Sequence, residues 1–151
     1  MKLIERICFP TDFGKSSEVA LKSVVSIAKK FGSEVNLVHV LPESMDFDKI
    51  QGFVNDKLAD YVKLLEAEGV KSTANLLHGN HADLLVSFAE RKKANLIVLG
   101  AGHIGKEKFK LGTNSEKIIR NASVPVWVIE KENVAILNRV LCPIDFSDES
   151  M

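Results

Sequence analysis

The residues best suited to chemistry in this chain gather in one glycine-bearing stretch. Gly100-Ala-Gly102-His-Ile-Gly105-Lys106 follows an apolar run, and Leu111-Gly112-Thr113 opens an amphipathic one. Glycine has no Cβ, so backbone N–H groups at such positions can close on an anion. A Gly-Thr helix start adds unpaired N–H groups and a hydroxyl at the positive end of the helix. Lys106, Lys108 and Lys110 contribute positive charge between the two. The chemistry implied is phosphate binding. The plainer alternative is a surface loop with turn-forming glycines and solvated lysines, and the segment alone weighs the two evenly.

Two familiar phosphate motifs can be tested against this stretch. Gly100, Gly102 and Gly105 spell G-x-G-x-x-G, but they follow the fourth strand-like run, and Gly112 leaves no room for a full helix. The acidic residue ending the next strand-like run, Glu130, also lies farther on than the ~20 residues a dinucleotide fingerprint expects. A Walker A loop needs Ser or Thr after Lys106, where this chain has Glu107. A carboxylate there would repel phosphate, so both motifs are set aside.

A second group is Pro10-Thr11-Asp12, at the end of the first apolar run. Asp12 could accept hydrogen bonds from a ribose or an adenine; taken alone it reads as a turn residue or helix cap. The histidines at 39, 78, 81 and 103 show no metal-ligand spacing. His39 reads as a satisfied strand residue, and His78 and His81 as turn residues. No Ser/His/Asp or Cys/His constellation has a recognisable local motif. Arg91-Lys92-Lys93 suits a helix C-terminus, and Trp127 a core or an interface.

Short apolar runs and longer helical ones alternate to position these groups. Arg6–Pro10, Glu34–Leu41, Ser72–Leu77, Ala94–Leu99 and Val124–Glu130 read as strands. Ala20, Val24, Ile27, Ala28 and Phe31 share one face of a helix from about Ser16, which Gly32 stops. Ile50, Val54, Leu58, Tyr61 and Leu65 mark a second helix before Gly69. Gly79-Asn80 caps a third from about His81 to Lys92, and a short fourth spans about Thr113–Arg120. Such alternation implies right-handed βαβ crossovers and a doubly wound α/β fold around a parallel sheet. In such sheets ligands bind at the carboxyl ends of strands where the winding reverses. If the first and fourth strands are neighbours there, Asp12 and the glycine stretch face one crevice. That topology favours the phosphate reading.

Ile4–Glu18 also aligns with Leu137–Met151, where Arg6, Pro10, Asp12, Phe13 and Ser17 recur as Arg139, Pro143, Asp145, Phe146 and Ser150. The chain therefore divides into a domain over 1–131, a linker over 132–137 and a truncated second start over 138–151. The 151 residues carry 20 Lys+Arg against 20 Asp+Glu, so nothing overall attracts nucleic acid or an anionic membrane. No apolar run is long enough for a membrane span, and Cys8 and Cys142 read as buried free thiols of a reducing cytoplasm.

Five motifs in order carry a family resemblance: Phe9-Pro10-Thr11-Asp12-Phe13, His39-Val40, Leu99-Gly100, Leu111-Gly112-Thr113 and Val124-Pro125-Val126-Trp127-Val128. Over residues 2 to about 131 the chain resembles a universal stress protein domain of the ATP-binding branch, as the first unit of a tandem member. The resemblance implies a five-stranded sheet of order 3-2-1-4-5, adenine nucleotide alpha hydrolase-like, and a cytoplasmic regulatory module rather than an enzyme. Its ligand would be ATP or AMP, with or without Mg²⁺. By matching position, Pro10, Thr11 and Asp12 would hold the adenosine and the Val40 backbone would touch the adenine. Leu99 and Gly100 would open the phosphate loop, which runs through Gly102 and Gly105, and Gly112, Thr113 and Asn114 would close it.

One departure concerns this loop. The family pattern is Gly, two residues, Gly, nine residues, Gly-Ser/Thr; here the spacing to Gly112 is shorter from either Gly100 or Gly102. A scaffold that binds no nucleotide and acts through a dimer surface is the alternative. The resemblance also implies pairing through the last strand, Val124–Ile129, either in a homodimer or with a second domain.

Overall fold

The computed structural model describes residues 3–101 and 112–130. The glycines at 102 and 105, the lysines at 106, 108 and 110, Cys142, the proposed linker and the proposed second start lie outside the described residues. Among the described residues nine elements alternate in the expected order: β1 Arg6–Pro10, α1 Lys15–Phe31, β2 Glu34–Leu41, α2 Phe47–Ala67, β3 Ser72–His78, α3 His81–Arg91, β4 Leu96–Gly100, α4 Thr113–Asn121 and β5 Val126–Ile129. The five strands form one parallel sheet of order β3-β2-β1-β4-β5. The doubly wound α/β expectation holds in both class and order.

Strand alternation sorts the core into two layers. Ile7, Phe9, Leu37 and Val98 point to one face, where they pack with Ala20, Val24 and Leu58 from α1 and α2. Cys8, Val38, Ile97 and Leu99 point to the other, against Leu85 and Ala89 of α3 and Ile118 of α4. Burying each large side chain here stabilises the fold by about 1.5–3 kcal/mol relative to leaving it exposed to water. The central strands are apolar on both faces because helices cover both. Edge strand β3 departs from that rule, with Thr73 and Ala74 exposed.

Two strand starts differ from the sequence reading. β4 begins at Leu96 rather than Ala94, because Ala94 N–H is taken by the Ala89 carbonyl at 2.9 Å, and Lys93 turns left-handed (φ 52°) to end α3. β5 begins at Val126 rather than Val124, because Pro125 has no N–H for the ladder. Its carbonyl does take part, accepting from Ile97 N–H at 2.9 Å. Helix ends follow their local signals more closely. Gly32 (φ 65°) and Gly69 (φ 76°) adopt the left-handed conformation just past α1 and α2, which L side chains disfavour.

Candidate nucleotide site

The winding reverses between β1 and β4, so the loops leaving these neighbouring strands diverge and open a crevice at their carboxyl ends. A cavity of about 430 Å³ lies there. Of the residues expected to act together, Pro10, Thr11, Asp12, Leu99, Gly100, Gly112, Thr113 and Asn114 line it. Val40 does not: it is buried at 5% exposure in the layer beneath α3.

The β1–α1 turn is held by a closed set of hydrogen bonds. Thr11 N–H extends the ladder by donating to Val38 O at 2.9 Å. The Thr11 carbonyl accepts from His39 Nδ1 at 2.6 Å, which makes that nitrogen the protonated one, so His39 is a satisfied strand residue as read. Asp12 Oδ1 accepts from Gly14 N–H at 2.8 Å and from Ser17 Oγ at 2.7 Å. Asp12 is thus a turn residue and a lining residue at once. Between these bonds Phe13 sits at φ 61°, a strained conformation for a residue with a Cβ. Stacking on His39 (centroids 4.9 Å apart) and an edge contact with Tyr61 (5.4 Å) hold it in place. Burial raises the pKa of Tyr61, so its hydroxyl stays protonated at neutral pH.

The glycine side has two separate logics. A Cβ on Gly100 would lie 2.6 Å from the Ser16 carbonyl oxygen, so glycine is required where β4 passes the first turn of α1. A Cβ on Gly112 would meet no described residue within 4 Å. Gly112 precedes α4 with no side-chain cap among the described residues, and the first N–H groups of a helix have no intrahelical acceptor. The positive end of α4 therefore faces the cavity.

His81, Ser17, Ser115 and Ile118 also line the cavity, and sequence reasoning missed them. His81 is the first residue of α3 rather than a turn residue. Its Nδ1 is buried without a hydrogen-bond partner among the described residues. Burial, and then the nearby His39, lower its pKa, while the Asp12 carboxylate opposes them. No local signal marks His81, because its approach to β1 depends on where α3 docks. A larger groove of about 700 Å³ between α1 and α2 shares no lining residue with this cavity and sits against Leu21, Val25 and Leu64.

A cavity at the switch point of a 3-2-1-4-5 sheet can now be set beside proteins of known family. The universal stress protein family model matches residues 4–130, and the chain belongs to that family. Universal stress protein MJ0531 of Methanocaldococcus jannaschii is 36% identical over 142 residues, covering 85% of this chain and 84% of that protein. The solved structure of the hypothetical protein MJ0577 from the same organism aligns with a TM-score of 0.74 at 29% identity, over 87% of this chain and 99% of that one. The solved structure of the universal stress protein from Archaeoglobus fulgidus in complex with dAMP shares the fold. It aligns with a TM-score of 0.67 at 24% identity, over 86% of this chain and 100% of that one.

Proposed function

We propose that this chain is a cytoplasmic regulatory module of the stress response that binds ATP or AMP, with or without Mg²⁺, and has no catalytic apparatus of its own. The observation that carries this reading is that the Asp12 turn and the N-terminus of α4, which no described side chain caps, line one cavity. Its volume lies within the ~300–1,000 Å³ usual for small-molecule sites. The two walls differ in chemistry. Asp12 offers acceptors to hydroxyl or amino donors, whereas α4 offers backbone N–H donors to phosphate oxygens. A nucleotide carries both kinds of group on one molecule. The bound dAMP of the Archaeoglobus fulgidus relative supports the assignment.

In this reading Pro10, Thr11 and Asp12 hold the adenosine, and the backbone of Val40 borders the adenine. Gly100, Gly112, Thr113 and Asn114 face the phosphates; the expectation for Gly102 and Gly105 lies outside the described residues. Calorimetry with ATP and AMP tests it: micromolar or tighter binding is expected, and Asp12→Ala should weaken it. Because Asp12 also accepts from Gly14 and Ser17, the melting temperature of the ligand-free variant must be read alongside. Absence of binding by the parent protein would overturn the reading. The shortened glycine spacing favours a second reading, a scaffold without nucleotide that acts through its dimer surface. Adenine nucleotide copurifying with the protein would exclude it.

A further inference from the structure

His81 is not needed for the helix that it starts. Asn80 already caps α3 by accepting from Asp83 N–H, and Ala82 and Leu85 supply the first-turn packing. Yet His81 places a ring on the cavity wall with Nδ1 buried and without a partner among the described residues, an unfavourable arrangement for a residue that merely fills space. Burial keeps the ring neutral, which leaves it one donor and one acceptor. Its surroundings select what those can meet. The Asp12 carboxylate acts on His81 across the cavity wall and would repel a phosphate, and none of the described lining residues is Arg or Lys. Phosphate is drawn instead to the positive end of α4.

The geometry points to His81 as a ligand-contacting residue that sets specificity for the nucleoside end of the bound nucleotide, a role that rests on the nucleotide reading above. The groups it complements are uncharged donors and acceptors, the adenine edge or the sugar hydroxyls.

The test uses the full chain, with calorimetry of AMP and of adenosine on the parent, His81→Ala and His81→Gln, and melting of each ligand-free protein. His81→Ala should weaken AMP and adenosine by a similar factor, about fivefold or more, the range a lost buried hydrogen bond gives. His81→Gln should recover part of the loss, because its carboxamide restores a donor and an acceptor. The ligand-free melting temperature of His81→Ala should equal or exceed that of the parent, since a buried nitrogen without a described partner has been removed. Repeating the comparison with 2′-deoxy-AMP and 3′-deoxy-AMP separates the two supporting outcomes: a loss that persists with both assigns the base, and one that disappears with either assigns that sugar hydroxyl. Unchanged affinity in His81→Ala, with a parent that binds, overturns the inference alone. A loss confined to AMP overturns it too, by moving His81 to the phosphate. A parent that binds neither ligand overturns the nucleotide reading and this role with it.

Discussion

Gly100 and Gly112 look alike in the sequence, since both flank a loop that suits phosphate, but their surroundings separate them. Gly100 is constrained by the Ser16 backbone 2.6 Å from where a Cβ would stand, and backbone cannot rotate aside. Gly100→Ala should therefore destabilise the ligand-free protein by about 1–3 kcal/mol in urea denaturation, the usual cost of overpacking. Gly112→Ala has open space among the described residues, so only its weaker helix-start preference acts, worth less than about 1 kcal/mol. Any larger effect of Gly112→Ala should appear in nucleotide affinity, where a methyl group would stand between the chain and a phosphate. His81 adds a pH dependence. Its folded-state pKa lies below the usual 6.5, so the unfolded chain binds its proton first as pH falls. Its contribution to stability is unaffected above that value and is lost as pH falls from about 6.5 toward the folded pKa. Denaturation between neutral and mildly acidic pH should show a shallower loss for His81→Gln than for the parent.

At the scale of elements, helix ends were legible where one residue decides them. Gly32 and Gly69 stop α1 and α2 because left-handed backbone excludes most side chains, and Asn80 starts α3 by accepting from Asp83 N–H at 3.3 Å. Asn80→Ala should cost about 1 kcal/mol by thermal unfolding. The starts of β4 and β5 were less legible. Ala94 and Val124 suit a strand by type, but the helix stop of α3 takes the N–H of Ala94 and Pro125 interrupts the ladder beside Val124. The two-sided covering of β1 was legible in its unbroken apolar run, and its consequence is measurable at Cys8. This thiol has no exposure, and burial pushes its pKa up to about 12. Cys8 should resist thiol reagents in the native protein and react on unfolding, as peptide-level mass spectrometry would show.

For the whole molecule, β5 is the last strand on one side of the sheet among the described residues, and its Val126, Trp127 and Val128 are half-buried. An apolar edge strand is a template for pairing, so we propose that two copies associate there. Sedimentation should find a dimer at tens of micromolar, and Val126→Lys should shift it to monomer while its circular dichroism remains that of the parent. A stable parent monomer would count against this pairing. The proposed division at residue 131 belongs to the same scale. A chain ending there should unfold as cooperatively as the full one, because the five described strands and their covering helices lie within 6–129.

Local chemistry determined much of this protein before any tertiary contact was known. Apolar periodicity, caps and glycines act over a few residues, and so do the Pro10-Thr11-Asp12 turn and the Gly112-Thr113 helix start. Together they were enough for the α/β class and both walls of the cavity. What only the tertiary structure decided are the meetings between distant segments: Ser16 against Gly100, His39 on the Thr11 carbonyl, and His81 facing Asp12 from the start of α3. The physical reason is that such contacts depend on strand order and on how each helix seats on its face of the sheet. Those are set by summed burial over the whole core, and no short stretch of residues records them.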